Sequence, residues 1–213
     1  MSDKTQSDDH KQKMQERQAE QRLKVAQLED PEKGLVLVHT GAGKGKSSSA
    51  FGVVIRALGW KQTVGVVQFI KGKWKTGERL FFERAGGVTW HTMGDGFTWD
   101  TQDKERDIAA AKAAFAKGRE MMESGDYDLV VLDEINIAMR YDYLSTEEVI
   151  AALDARDPRT GVVLTGRDAK PALCDYADLV TEMTEVKHPF KACLLYTSPS
   201  PRDRQKSRMP SSA

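Results

Sequence analysis

Apolar and polar positions divide the chain into three stretches. Through residue 33 it is charged and Gln-rich, and Leu23, Val25, Ala26 and Leu28 are its only concentrated apolar residues. That pattern predicts a frayed start and then a helix over roughly 12–29. The helix is either a solvated appendage or a lid or dimer arm whose apolar end docks elsewhere. From Gly34 onward, short apolar runs alternate with amphipathic ones. Leu35-Val36-Leu37-Val38 is apolar at every position, as a strand buried on both faces requires. Residues 63–70, 88–93, Leu129–Asp133, Gly161–Thr165 and Leu179–Glu182 read as further strands. Helical patterns separate them: 47–58, 78–85, and 103–123 with Ile108, Ala111, Phe115 and Met122 on one stripe. Ser145-Thr146-Glu147-Glu148 is a capping box that opens another helix to about residue 155. Such alternation predicts an α/β fold with a mainly parallel sheet flanked by helices. Periodicity stops after Ala192. Residues 193–213, rich in Ser, Pro and Arg, read as a disordered and non-native tail. The expected organisation is therefore a charged N-terminal segment 1–33, one domain over 34–192, and the tail.

Charge and composition remove several function classes. The 32 Lys and Arg balance the 32 Asp and Glu. Without residues 193–213 the balance is 28 positive to 31 negative, so the body is mildly acidic and lacks the basic footprint of a nucleic-acid binder. No apolar run approaches the roughly 18 residues of a membrane span. No signal-peptide pattern opens the chain. Its two cysteines, Cys174 and Cys193, make neither a disulfide framework nor a zinc cluster. The expected setting is the reducing cytoplasm.

The candidate chemistry lies at the first strand-to-helix junction. Gly41, Ala42, Gly43, Lys44, Gly45, Lys46 and Ser47 form a Gly-rich turn between a buried strand and a helix, the context a phosphate-binding P-loop needs. Glycines let successive N–H groups converge on phosphate oxygens, and the helix N-terminus adds its positive dipole end. Lys46 reaches phosphate as a point charge, and the Ser47 hydroxyl is a Mg²⁺ ligand. The spacing is irregular. Thr40 stands where the usual motif begins with Gly, and counted from Gly41 the loop is one residue short. A dinucleotide fingerprint fails because residue 46 is Lys. A chance Gly/Lys-rich turn is the bland alternative. The usual partner of such a loop is present as well: the apolar run 129–132 delivers Asp133 and Glu134 at its end, where ligands bind in doubly wound sheets. An acid there holds Mg²⁺ directly or through water. Loop and acids together point to a nucleoside triphosphate with Mg²⁺ in a P-loop NTPase-like fold.

What the nucleotide is used for stays open on these residues alone: phosphoryl chemistry at the γ-phosphate, or chemistry elsewhere on ATP. Phe97 and Trp99, two apart in Gly94-Asp95-Gly96-Phe97-Thr98-Trp99-Asp100, share a face if extended. They either plug the core or face a large flat ligand. The shortened loop with its extra Lys44 resembles that of the P-loop type of corrinoid adenosyltransferase. So do 64–72 (VGVVQFIKG), Gly96-Phe97-Thr98-Trp99, Val130-Val131-Leu132-Asp133-Glu134, Tyr141-Asp142-Tyr143-Leu144, Thr165-Gly166-Arg167 and Val186-Lys187-His188. The resemblance covers about residues 12–192. It implies transfer of the 5′-deoxyadenosyl group of ATP to the Co(I) of a reduced corrinoid, with release of triphosphate. It implies that Gly41 to Ser47 cradle the triphosphate and that Ser47 stands in for the family's Thr at Mg²⁺. Lys46 and Glu134 then serve the transfer, and Asp133 lies beside the metal-side acid. Phe97 and Trp99 would fill the lower axial face of the corrin, so that a flavoprotein can reduce Co(II). A homodimer, and an N-terminal helix covering the corrinoid, are implied by the same likeness. The other readings are an ordinary P-loop ATPase or kinase, which releases ADP, and a nucleotide-gated binding module. The resemblance ends at Cys193.

Other residues read more plainly. His188 and His91 are expected in structural or surface roles, and Cys174 as a small buried residue. Lys71, Lys73 and Lys75 around Trp74 read as a solvated loop that could border the nucleotide site. Arg167 either stays in solvent or reaches nucleotide or corrin carboxamides.

Overall fold

A computed structural model describes residues 2–26, 33–69, 76–92 and 104–187. The chain forms two compact units, Met1–Glu32 and Lys33–Ala213. The first contains helix α1 (Ser2–Ala26). Helix therefore begins ten residues before the expected start. Residues 2–26 contain no Gly or Pro and are dominated by Gln, Lys, Glu, Asp and Ala, mostly good helix formers with nothing to break the run. Glu20–Lys24 and Gln12–Glu16 pairs, each one turn apart, line its exposed surface.

The second unit is built on six strands, β1 (Val36–Thr40), β2 (Val64–Gln68), β3 (Val88–Thr92), β4 (Leu129–Asp133), β5 (Gly161–Thr165) and β6 (Leu179–Glu182). They form one sheet in the order β3-β2-β4-β5-β1-β6, and every adjacent pair is parallel. Parallel strands need crossover connections, and these are helices α2 (Lys46–Gly59), α3 (Gly77–Ala85), α4 (Lys104–Glu123), α5 (Ile135–Arg140), α6 (Thr146–Ala155) and α7 (Pro171–Tyr176). Alternate residues of each strand face opposite sides. Val36, Val38, Val67, Val130, Leu132, Val162 and Leu164 pack with α4, α5, α6 and α7. Val64, Val66, Leu129, Val131 and Val163 pack with α2 and α3. The sheet is thus covered on both faces, which is why β2, β4 and β5 read as continuous apolar runs.

The strands and long helices of the second unit lie where the hydrophobic pattern puts them, to within a residue or two at the ends. Two short helices, α5 and α7, were not anticipated. Each spans six residues, too few for a 3.6-residue period to stand out. Of the capping box, the structure shows the Ser145 hydroxyl accepting from the Glu148 amide at 3.0 Å. Ser145→Ala is expected to lower stability by about 1 kcal/mol, the usual cost of a lost N-cap. Urea unfolding should record this as a lower midpoint with an unchanged slope.

Candidate functional site

The parallel sheet brings the C-terminal ends of all six strands to one edge, and both sequence-predicted motifs lie there. Register sets Gln68 beside Thr92 and Asp133, and His39 beside Thr165. The polar ends of strands that are otherwise apolar therefore fall into one row.

At the end of β1 the chain turns through Gly41 and Gly45, with φ of 96° and 110°. Only glycine adopts these values without strain. Gly45 is the N-cap of α2, and no side chain caps it, so the helix N-terminus faces the loop as a positive dipole end. The segment after β6 holds the loop's other side. Gly43 donates to the Met183 carbonyl at 2.6 Å, and Met183 donates back to the Thr40 carbonyl at 2.9 Å. A Cβ on Gly43 would lie 2.7 Å from the Met183 carbonyl oxygen and 2.8 Å from that of Thr184. These are backbone atoms that cannot step aside, so Gly43 is required by close approach as well as by chemistry.

Lys46, at the first position of α2, folds back over the loop. Its ammonium donates to the carbonyls of Gly41 at 2.9 Å and Gly43 at 2.6 Å. Burial holds its pKa below the ordinary lysine value. Repulsion from Arg167 and Lys44 adds to this, against attraction from Glu134 and Asp168. Three cations therefore crowd this loop, and a polyphosphate is the ligand that relieves their repulsion. Lys44 and Ala42 are exposed, while Gly41 and Gly43 are buried and Ser47 is half-buried at the helix start.

The two acids at the end of β4 have different surroundings. Asp133 is 1% exposed. One carboxylate oxygen accepts from the Gln68 amide at 2.9 Å, the other from the Thr165 hydroxyl at 2.9 Å. Glu134 is half-buried and adopts a left-handed backbone, φ 69°. Its amide donates to the Thr165 hydroxyl oxygen at 2.8 Å. Such backbone in a residue with a Cβ is uncommon and is held by its surroundings. Of the pair, Glu134 is the carboxylate placed toward solvent, and Asp133 is tied into the sheet.

A hydroxyl at Ser47 and a carboxylate at Glu134 are hard oxygen donors, the type Mg²⁺ takes. Among the described residues no group of three or more His, Cys, Asp or Glu gathers to form a metal cage. One or two protein ligands completed by phosphate and water is the usual arrangement for Mg²⁺, so the donor set fits that ion.

Several participants had no role assigned from sequence. Gln68 and Thr165 are the polar ends of buried strands, a signal that was legible but unread. Asn136, fully buried, donates to the Gly166 carbonyl at 3.1 Å, and its Oδ1 is buried without a hydrogen-bond partner among the described residues. His39 is buried under the loop with Nδ1 similarly unpartnered, and burial lowers its pKa, against an opposing backbone hydrogen bond with Lys46. Arg167 is exposed. His91 is half-buried on β3 with its pKa lowered by burial and by Lys117. Cys174 is half-buried rather than buried: α7 turns Leu173 fully into the core and its neighbour Cys174 only partly. Burial, with Asp175 and Glu182, pushes its thiol pKa up, which disfavours the reactive thiolate. Phe97, Trp99, His188, Lys71, Lys73, Lys75, Cys193 and the whole of 193–213 lie outside the described residues.

Gly43→Ala should lower stability by about 1–3 kcal/mol, as forced overpacking does. It should also weaken binding of a fluorescent ATP analogue. A variant that melts and binds like the unsubstituted chain would mean that the Gly43–Met183 contact does not shape the loop.

Known proteins give this geometry its context. The chain is 52% identical to the corrinoid adenosyltransferase of Pseudomonas aeruginosa over 184 residues, 86% of this chain and 90% of that one. It is 47% identical to the corrinoid adenosyltransferase CobA of Salmonella typhimurium over 169 residues, 79% of this chain and 85% of that one. Among solved structures it is similar to the flagellar accessory protein FlaH from Methanocaldococcus jannaschii, with a TM-score of 0.47 and 12% identity over 70% of each chain. Residues 32–194 match the family described as ATP:corrinoid adenosyltransferase BtuR/CobO/CobP, a span that takes in the loop, the acids and all six strands, and to that family the chain belongs.

Proposed function

We propose that this chain transfers the 5′-deoxyadenosyl group of ATP to the Co(I) centre of a reduced corrinoid. The cobalt electron pair attacks C5′, a Co–C bond forms, the C5′–O bond breaks, and triphosphate leaves with that bond's electrons. The carrying observation is the short Gly-rich loop at the end of β1, crowded by Lys44, Lys46 and Arg167 on the same sheet edge as Glu134, in a chain of this family. Nothing in this arrangement favours hydrolysis at the γ-phosphate.

Co(I) is itself a strong nucleophile, so the protein has no nucleophile to supply. Its tasks are to hold C5′ against cobalt and to stabilise charge on the leaving triphosphate. In this reading the amides of residues 41–47 and the N-terminus of α2 bind the triphosphate. Lys46 already lies over the loop, bonded to two of its carbonyls. Ser47 and Glu134 would hold Mg²⁺, with Asp133 behind them. The ion, when bound, supplies charge neutralisation along the triphosphate. A homodimer, a flavoprotein electron donor and a cytoplasmic setting complete the reading. No helix among the described residues is long and apolar enough to cross a membrane.

Product analysis tests the reaction. ATP, Mg²⁺ and chemically reduced cobalamin should yield an adenosylated corrinoid and triphosphate in equal amounts. ADP with phosphate, or ATP turnover indifferent to corrinoid, would overturn the reading. Lys46→Ala should lower turnover roughly hundredfold to thousandfold, the effect of removing one such charge contact, about 2.7–4 kcal/mol. Its far-ultraviolet circular dichroism should stay unchanged.

Phe97 and Trp99 are proposed to face the corrin and weaken axial ligation of Co(II). Phe97→Ala and Trp99→Ala should then impair the flavoprotein-driven Co(II) route more than reaction with Co(I) made chemically. Equal losses in both assays, with an unchanged spectrum of bound Co(II), would return the two rings to a loop-holding role.

A further inference from the structure

The row of polar side chains behind Glu134 is directional. The Trp90 indole N–H donates to Gln68 Oε1 at 3.3 Å and to Thr92 Oγ1 at 3.3 Å. Indole is a donor only, so it fixes which end of the Gln68 amide points toward β3. The Gln68 Nε2 group is thereby turned to Asp133, where it donates at 2.9 Å. Thr165 donates its hydroxyl hydrogen to the other Asp133 oxygen, which leaves a Thr165 lone pair for the Glu134 amide at 2.8 Å. Each bond determines the sense of the next, from β3 through β2, β4 and β5 to the backbone of Glu134. Gln68, Asp133 and Thr165 are at most 1% exposed. A buried carboxylate is costly without donors, and among the described residues the neighbouring strands supply two.

The geometry assigns Gln68, Asp133 and Thr165 a positioning role. They form a relay that holds Glu134 in its left-handed conformation and so aims its carboxylate toward the phosphate loop. Asp133 acts through Thr165 rather than by touching metal or phosphate. This assignment rests on the adenosyl-transfer reading only for the choice of substrate.

An exchange of the two buried groups tests it. Asp133→Asn alone leaves the row unsatisfied in either amide orientation. With Nδ2 toward Gln68 two donors meet, and with Nδ2 toward Thr165 the threonine hydrogen loses its acceptor. Gln68→Glu alone sets two carboxylates face to face. The double variant Gln68→Glu/Asp133→Asn restores each of these bonds. The carboxylate introduced on β2 would accept from Trp90 and from the amide introduced on β4, and that amide's oxygen would accept from Thr165. Only the position of the negative charge differs.

Each single variant should lose roughly tenfold to hundredfold in kcat/KM for ATP, as expected for a buried group left unpaired. Each should melt at least about 3 °C lower, and KM for corrinoid should stay within about twofold of its original value, since the relay ends at Glu134. In the double variant both melting temperature and kcat/KM for ATP should return, the latter to within about threefold of the unsubstituted chain. If a single variant aggregates, the double variant must still fold and turn over. Recovery of melting temperature without recovery of turnover would overturn the positioning role, because the charge at residue 133 would then be needed in place. Singles that melt and turn over normally, or a double variant that recovers neither property, would overturn the relay itself. The melting cycle needs no substrate. Absence of corrinoid-dependent turnover in the unsubstituted chain would therefore count against the proposed function and leave the relay to be judged by melting temperature and by affinity for MgATP.

Discussion

The parallel ladder is the constraint on which the site depends. In a sheet whose strands all run one way, every C-terminal end reaches the same edge, and register decides which residues meet there. Val64 beside Leu129 places Gln68 beside Asp133 four residues later, and Val36 beside Val162 places His39 beside Thr165. Helices cover both faces of β2, β4 and β5, so the body of each of these strands must be apolar. Their polar side chains lie at the ends, where they pair with one another. The row from Trp90 to Glu134 is the result, and it lies on the same edge as the loop between β1 and α2.

That edge gathers charges of both signs around Lys46. Burial first, and then repulsion from Arg167 and Lys44, lowers the Lys46 pKa, while Glu134 and Asp168 oppose the shift. Arg167 and Asp168 come from the turn after β5, the strand that separates β1 from β4. The intervening strand therefore contributes charge to the site as well as spacing between loop and acids. Arg140 pairs with Asp168 at 2.9 Å and lies over the Tyr141 ring, linking that turn to the end of α5.

Left-handed backbone recurs at the same place. Gly41, Gly45, Glu134 and Gly166 all have positive φ, and all lie immediately after strands or at helix starts on this edge. At Gly166 a Cβ would come within 2.8 Å of the Asn136 Cβ, so the turn after β5 is packed directly onto α5. A rigid sheet supports these conformations through the Thr165 and Asn136 hydrogen bonds. Preorganisation of this kind is what stabilising a developing anion requires, because donors already in place need no rearrangement as charge forms.

From sequence alone the strands, the longer helices of the second unit and the α/β class were legible. A strand buried on both faces must be apolar throughout, and a surface helix must be apolar along one stripe. Both leave a period in the chain. The loop and the acid pair were legible too, because Gly-Lys-Ser after a strand and Asp-Glu at the end of another are local features, and the resemblance to the adenosyltransferases rested on such local stretches. What tertiary structure alone decided was non-local. No spacing in the chain says that β5 lies between β1 and β4, that Met183 closes the loop from the far side, or that Gln68 faces Asp133 across 65 residues of sequence. The pattern of residues did not divide the labour between Asp133 and Glu134 either; the family resemblance implied Glu134 as the metal-side acid without a physical reason. Adjacent acids look alike on paper, and only burial and the direction of their hydrogen bonds make one a member of the sheet and the other a group facing the site.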